Sequence, residues 1–322
     1  MPSFITILSA AIPVFIVLGI GNFARVRGWL KPDADDSIMK LVVNALYPFL
    51  ILTFILGNPA LRNPANIGVG MGTGAFLIVF AVSLAYVAAP LGGMAVGTGR
   101  RTFAFATGIH NYGYIAIPVA SALFGVNSPT MGVLIVCNVG VEIMFWTYGI
   151  MVLTGAAKRD VWKKIVNPTL IAIAIGLTLN FCGVPELGGA TGRVYGVAIA
   201  TLRMMGACAV PLALLVSGAT LCDLVRSGEW LGRWQVTALS VVLRNFVIPA
   251  FIILMACTIP FPHELRQVLA VHAAMPAAMF PLVMSRFYGG NPAVAARVIL
   301  ASTVVGLLTI PLWLSVGLHF VG

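Results

Sequence analysis

Long apolar runs are the feature that most constrains the fold of this chain. Stretches of about 20 apolar residues, each long enough to cross a bilayer, follow one another with short connectors of glycine, proline and a few charges. Hydrophobic residues make up 60% of the 322 residues and charged residues 9%, whereas a soluble domain carries roughly 25% charged residues. We therefore predict an all-α integral membrane protein. The composition argues against a soluble enzyme, a disordered chain and a nucleic-acid-binding protein.

The breaks between the apolar runs predict ten transmembrane helices, which we call spans 1 to 10. They cover residues 3–24, 37–58, 66–90, 102–125, 129–154, 168–184, 194–220, 234–257, 265–288 and 291–320. Little of the chain lies outside these spans, so we expect no sizeable extramembrane domain.

The basic residues of the connectors predict the orientation. Twelve follow odd-numbered spans: Arg25, Arg27, Lys31, Arg100, Arg101, Lys158, Arg159, Lys163, Lys164, Arg226, Arg233 and Arg286. Three follow even-numbered spans: Arg62, Arg193 and Arg266. Cytoplasmic connectors carry the excess of lysine and arginine, so we predict a multi-pass protein of the plasma (inner) membrane with both termini outside the cytoplasm.

Weak similarities between the two halves predict an inverted repeat. The end of span 1, "LGIGNFARV", resembles the end of span 6, "IGLTLNFCGV", and Pro48 of span 2 aligns with Pro211 of span 7. Span 4 contains "HNYGYIAIPVASALFG" and span 9 contains "HAAMPAAMFPLVMSRFYG". Because the offset is an odd number of helices, the second half enters the membrane from the opposite side. The predicted repeats are residues 1–160 and 161–322.

Spans 4 and 9 contain the residues that we expect to bind a ligand. These are His110, Asn111, Gly113 and Pro118 in span 4, and His272, Met275, Pro276 and Pro281 in span 9. A proline inside a helix frees backbone groups, which a membrane tolerates only where protein buries them or where they line a cavity. Paired interruptions in the two halves indicate a transporter's binding site, and the main-chain amides of helices restarting there favour an anion. Proline kinks without a ligand are the alternative.

Three of these side chains have a second interpretation. Asn111 either donates to a substrate carboxylate or satisfies the unwound backbone. His110 and His272 either respond to protons near neutral pH or are structural.

Two charged residues lie at mid-depth, Glu142 in span 5 and Arg244 in span 8. Ionisable groups inside the membrane are usually functional. We therefore predict that Glu142 and Arg244 pair, or that Glu142 takes up a proton or cation coupled to transport. A purely structural buried pair is the alternative. Arg203, shallower in span 7, either attracts substrate or extends to the interface.

The chain shows no metal-ligand spacing and no catalytic motif. We therefore predict no enzyme activity, no metal and no cofactor.

Several segments resemble the auxin efflux carrier family, which comprises the plant PIN-type carriers and their bacterial relatives. The similar stretches are "NYGYIAIPVASALFG" in span 4, "VWKKIVNP" before span 6, and "MPAAMFPLVMSRFY" with the following "NPAVAARVILASTVVGLLTIPL". The resemblance implies a crossover fold shared with bile-acid symporters and sodium/proton antiporters, in which broken spans 4 and 9 cross. Spans 1, 2, 6 and 7 would form a scaffold domain that dimerises in plant members. Spans 3–5 and 8–10 would form a transport domain that moves like an elevator.

The resemblance also implies residue roles. Asn111 matches the family's substrate-binding asparagine, and Pro118, Pro276 and Pro281 match the prolines of the crossing. Glu142, four residues before a tryptophan, matches a polar residue of a buried support site.

Two departures from the plant members are visible. Plant carriers place an acid in span 3, whereas this chain has none between Asp36 and Glu142, and the long loop between spans 5 and 6 is missing. The short form resembles bacterial members, which are associated with small organic acids such as malonate or malate as well as auxin-like compounds.

Three functions stay open at this point. The first is a secondary transporter of a small organic anion that works by alternating access, with a proton link as one version. The second is a sodium-coupled, bile-acid-like symporter, and the third is a membrane-embedded sensor or enzyme. The expected partners are the anion, the lipid bilayer and a second copy of the chain in a homodimer, without nucleic acid.

Overall fold

The computed structural model describes residues 4–58, 61, 63–155, 168–184, 189–228 and 232–321, and regular structure in these residues is helical. The helices are α1 (Phe4–Val26), α2 (Pro32–Ile55), α3 (Pro64–Ala88), α4 (Arg100–Gly108), α5 (Ala116–Phe124), α6 (Pro129–Thr154), α7 (Pro168–Phe181), α8 (Gly189–Ala207), α9 (Ala209–Ser227), α10 (Trp234–Thr258), α11 (His263–Ala274), α12 (Phe280–Phe287) and α13 (Pro292–Val321). Some residues used in the sequence analysis lie outside the described part: Arg62, Lys158, Arg159, Lys163, Lys164 and the first seven residues of "VWKKIVNP".

Seven helical stretches in the described part are long and apolar enough to cross a membrane. They are Ile5–Val26, Pro32–Ile55, Ile67–Gly92, Pro129–Thr154, Gly192–Ser227, Trp234–Thr258 and Pro292–Val321, and they correspond to spans 1, 2, 3, 5, 7, 8 and 10. Large apolar side chains on these stretches are exposed, such as Val87 (70%) and Leu308 (80%), as expected for helices that face lipid. The prediction of an all-helical membrane protein is confirmed.

Spans 4 and 9 are each divided into two short helices. Residues 109–115 separate α4 from α5, and residues 275–279 separate α11 from α12. Pro276 lies in the second break, whereas Pro118 and Pro281 lie in the first turns of α5 and α12. A helix needs no backbone N–H there, so proline is tolerated without loss of a hydrogen bond.

Span 7 differs from its predicted bounds, and three other helices are not regular α-helices throughout. Span 7 is longer than the predicted 194–220, since α8 and α9 extend over Gly192–Ser227 with a turn at Cys208. Helices α2, α6 and α10 each contain a π-helical turn, over Val42–Leu46, Phe145–Gly149 and Val242–Val247, and the last of these includes Arg244.

Glycines allow two helix pairs to approach closely. α1 packs on α9 across Gly21 and Gly218, and α3 packs on α6 across Gly74 and Gly140. A Cβ atom added to any of the four would lie 2.1 Å or less from a backbone oxygen of the facing helix. Small residues at such crossings are what membrane helices use to pack backbone against backbone.

The remaining contacts position the broken spans at the centre of the protein. α2 packs against α7 and α8, and α4 packs against α3 and α13. α11 packs against α6, α10 and α13. The two breaks are thus enclosed by long helices on several sides.

An ion cluster ties three helices together at one end of the protein. The buried Arg25 of α1 pairs with Asp35 of α2 and with Asp223 of α9, where Nε lies 3.1 Å from the carboxylate. Arg25 also donates to the Leu30 carbonyl at 2.5 Å.

Candidate functional site

The two breaks lie against each other and share backbone hydrogen bonds. The Asn111 N–H donates to the Pro276 carbonyl at 2.8 Å, and the Ala278 N–H donates to the Ile109 carbonyl at 2.9 Å. The result is a short antiparallel bridge between two chain segments that have left their helices. Inside a membrane no water is available to hydrogen-bond free backbone groups. Each break therefore provides hydrogen-bond partners for backbone groups of the other.

Side chains of neighbouring helices satisfy further backbone groups of the breaks. The Asn138 side-chain amide on α6 donates to the Tyr112 carbonyl at 3.0 Å. The Ala277 N–H donates to the Ser302 hydroxyl on α13 at 3.2 Å. Each break is therefore held by the long helix that follows it in the chain.

Asn111 caps the start of α5. Its side-chain oxygen accepts hydrogen bonds from the N–H groups of Tyr114 and Ile115, both at 3.1 Å. These two N–H groups are therefore not free for an anion, contrary to the expectation of bare main-chain amides at this helix start. The Asn111 amide nitrogen has no partner among the described residues, so it remains a donor for a ligand, as do the hydroxyls of Tyr47, Tyr114 and Thr169 in the cavity lining.

A cavity of about 70 Å³ lies beside the junction of the breaks. This is room for roughly five water molecules. Its lining residues are Val43, Tyr47, Ile109, Asn111, Tyr112, Gly113, Tyr114, Glu142, Phe145, Trp146, Thr169, Ala278, Met279 and Phe280. Apolar and aromatic walls with a few polar groups are typical of small-molecule sites.

The cavity gathers only part of the predicted site. Asn111, Gly113 and Glu142 line it. The other predicted residues do not: His110, Pro118, His272, Met275, Pro276, Pro281 and Arg244. The three prolines shape the backbone around the cavity and do not form its wall.

Glu142 lies midway along α6 with its carboxylate in the cavity wall. It accepts hydrogen bonds from the Tyr112 hydroxyl and from the Trp146 indole N–H, the latter at 3.2 Å. It forms no ion pair with Arg244, so the predicted pairing is wrong. Glu142 faces the cavity, whereas Arg244 is buried outside its lining.

A second polar group of residues lies outside the cavity lining. The His110 and His272 rings are 4.7 Å apart between centroids, and the Arg244 guanidinium is close enough to act electrostatically on both. All three side chains are 1% exposed or less. His272 Nδ1 lies 3.9 Å from the Cys137 sulfur.

Several aromatic cavity residues were missed by the sequence analysis. Tyr47 of α2 meets Tyr114 edge to face, with the ring centroids 6.0 Å apart. The Tyr47 hydroxyl would lie 2.8 Å from a Cβ atom at Gly113, so this glycine makes room for the ring. The available signal was the cluster of tyrosines within and next to proline-containing segments, including Tyr112 inside the break itself.

No group of three or more histidine, cysteine, aspartate or glutamate side chains in the described ranges is placed to hold a metal ion.

Comparison with known proteins gives a consistent result. A family described as membrane transport protein matches residues 6–314. An uncharacterized transporter of Methanothermobacter thermautotrophicus is 26% identical over 314 residues, with 93% of this chain and 95% of that protein covered. An uncharacterized transporter of Methanocaldococcus jannaschii is 24% identical, with the same two coverages. The chain therefore belongs to the membrane transport protein family, the auxin efflux carrier family that its motifs resemble.

Proposed function

We propose that this chain is a secondary transporter of a small organic anion, a monocarboxylate or dicarboxylate, and that it catalyses no reaction. The observation that carries the proposal is the cavity at the junction of the two broken spans. Membership of a transporter family supports the broad class. The chemistry of the cavity wall supports the class of substrate.

The wall offers a few polar groups to a carboxylate and a larger apolar surface to an organic group. The Asn111 amide nitrogen, which no described residue accepts from, is a hydrogen-bond donor to a carboxylate oxygen. Helix α12 begins at this cavity, and the partial positive charge at a helix N-terminus favours an anion. Phe145, Met279 and Phe280 supply apolar surface for the rest of the molecule.

Glu142 supports a proton link. Its carboxylate shares the cavity with the proposed anion, and two negative charges so close together in a membrane interior repel strongly. Binding of a carboxylate therefore favours the protonated form of Glu142, in which the repulsion is absent. In this mechanism the proton on Glu142 and the anion cross the membrane together.

The packing of the helices supports an inverted repeat with a crossover. In an inverted repeat, each contact between two helices has a counterpart between the equivalent helices of the other half. The contact of α1 with α9 has its counterpart in the contact of α7 with α2, and both are present. The contact of α3 with α6 corresponds to that of α10 with α13. The contact of α4 with α13 corresponds to that of α11 with α6. We propose that the two repeats are related in this way, with spans 4 and 9 crossing at their breaks.

The cavity wall also supports alternating access by an elevator movement. Val43, Tyr47 and Thr169 come from spans 2 and 6, which we assign to the scaffold domain with spans 1 and 7. The other lining residues come from spans 4, 5 and 9 of the proposed transport domain. Movement of one domain along the other would open this cavity to each side in turn. Dimerisation through the scaffold, the plasma membrane location and external termini stay predictions.

Transport is tested in proteoliposomes that contain the purified full chain. Exchange of external radiolabelled malonate, and separately of labelled indole-3-acetate, against the same compound inside requires no assumption about direction. We expect exchange of at least one carboxylate, and net uptake driven by an imposed pH gradient. Uptake driven by a sodium gradient instead would favour the sodium-coupled alternative, and exchange of neither compound would contradict the proposed substrate class.

The proton link is tested by Glu142→Gln. The amide keeps an oxygen to accept from Tyr112 or Trp146 but takes up no proton. We expect the pH gradient to lose its effect on uptake, while exchange at equal pH persists. Asp33→Asn, at an exposed position on α2, is the matched control and should respond to the gradient as the wild type does. An unchanged response in Glu142→Gln would remove Glu142 from the coupling mechanism.

A further inference from the structure

Six buried polar atoms next to the junction of the breaks have no hydrogen-bond partner in the described part of the chain. They are Thr107 Oγ1, His110 Nε2, His272 Nε2, and the Nε, Nη1 and Nη2 atoms of Arg244. Thr107 and His272 are fully buried, and His110 and Arg244 are 1% exposed. Buried polar groups are nearly always hydrogen-bonded, so a group of six requires an explanation.

These atoms come from elements that pack together. The His110 and His272 rings are in contact, and Arg244 acts electrostatically on both. Thr107 lies one turn before His110 at the end of α4, and α4 contacts the π-helical turn that contains Arg244. Single π-helical turns inside α-helices are frequent at functional sites. The six atoms thus belong to four side chains on three segments that pack against one another.

The chemistry of the group is that of hydrogen-bond donors. A guanidinium has five N–H donors and no acceptor. The Cys137 thiol faces Nδ1 of His272 at 3.9 Å, so donation by the thiol places the imidazole proton on Nε2, the atom without a partner. The Thr107 hydroxyl can donate as well. The group therefore presents a positive charge and several donors to a common neighbour.

None of the described acidic side chains neutralises this charge. The three ion pairs in the described ranges involve Arg25 and Lys40. The C-terminal ends of α4 and α11 bring partial negative charge nearby. A helix dipole offsets charge but does not give the guanidinium N–H groups an acceptor, and an unpaired buried ion costs several kcal/mol.

We propose that Arg244, His110, His272 and Thr107 bind a small inorganic anion of the size of chloride. The site is separate from the cavity lined by Asn111 and Glu142, and the proposal does not rest on the transported substrate. The bound anion supplies both the missing charge and the missing acceptor. Its small size follows from burial, since the side chains that would hold it are almost inaccessible from outside.

The test is the melting temperature of the purified full chain in detergent. Sodium gluconate is replaced stepwise by sodium chloride, or by sodium bromide, at constant sodium concentration. We expect a saturable rise, reaching about 4 °C at a chloride concentration one hundred times Kd. Arg244→Gln should lose the rise, whereas Arg203→Gln, at an exposed arginine of α8, should keep it in full.

A measurement on the wild type keeps the proposal testable if Arg244→Gln does not fold. Crystals grown or soaked in bromide should show an anomalous peak within hydrogen-bond distance of the Arg244 guanidinium. A crystal without that peak, or a chloride effect that is equal in wild type and Arg244→Gln, would overturn the proposal. An Arg244-dependent rise with malonate and none with chloride would overturn it too, because the group would then belong to the substrate site.

Discussion

Two buried arginines of this protein show how differently one residue type is used within a single membrane fold. Arg25 is 6% exposed and is paired with carboxylates of two other helices and with a backbone carbonyl. Arg244 is 1% exposed, and none of the described residues accepts a hydrogen bond from its guanidinium. A buried cation with its counter-ions built into neighbouring helices holds those helices together. A buried cation without them is the feature for which we propose a bound anion.

Of the substitutions that test this comparison, Arg25→Gln should change the free energy of unfolding most. The substitution leaves Asp35 and Asp223 without their cation and separates three helices that the cluster joins. We expect the free energy of unfolding to fall by about 2–4 kcal/mol, somewhat less than the roughly 3–5 kcal/mol for a fully buried pair, because both acids are partly exposed. Unfolding in mixed micelles measures it. A loss below about 0.5 kcal/mol would show that Arg25 does not hold the helices.

For Arg244→Met in chloride-free buffer, we expect the free energy of unfolding to rise instead of fall. Methionine fills a similar volume without a charge, so it removes the cost of burying an ion that has no counter-ion. We expect a gain of about 1–2 kcal/mol in gluconate, and a smaller difference from the wild type once chloride is added. A loss of stability in gluconate would mean that Arg244 already has a stabilising partner within the protein.

The smallest effect is expected for Lys40→Gln. Lys40 pairs with Asp36 at 2.7 Å, but both side chains are at least 70% exposed. Solvent screens such a pair, so the unfolding free energy should change by about 0.5 kcal/mol or less. This variant calibrates the other two because it removes an ion pair without changing a buried site. A loss as large as that of Arg25→Gln would remove burial as the explanation of the difference.

The sequence was informative about the helices because membrane spans must be long, apolar and internally hydrogen-bonded. Apolar runs located all seven long helical stretches of the described part, and prolines and glycines located the interruptions in spans 4 and 9. The ends were less well predicted. Helix α2 starts at Pro32, five residues before the predicted boundary. The prediction followed the apolar run, which excludes the polar Asp33 and Asp35, but both lie in the first turn of the helix.

The site was only partly predictable, for two physical reasons. In the extended part of a break, successive side chains point to opposite sides, so Asn111 lines the cavity while the adjacent His110 packs against His272. Tyr47 and Thr169 reach the cavity from other helices, and no local pattern shows which helices will meet. The wrong pairing of Glu142 with Arg244 has the same origin. The position of a residue along a span does not determine which neighbouring helix its side chain faces.

The central claim is that the cavity at the junction binds a carboxylate through Asn111. Asn111→Asp tests it most directly because the new side chain can still accept from Tyr114 and Ile115 but no longer donates, and it carries a negative charge. Asn44→Asp, at an exposed position on α2, is the matched control.

The measurement is the Kd of the exchanged carboxylate for the three proteins, with the melting temperature recorded alongside. Loss of a hydrogen bond to a charged group predicts a Kd about 10- to 100-fold higher in Asn111→Asp at a nearly unchanged melting temperature, and a wild-type Kd in Asn44→Asp. A wild-type Kd in Asn111→Asp would contradict the account.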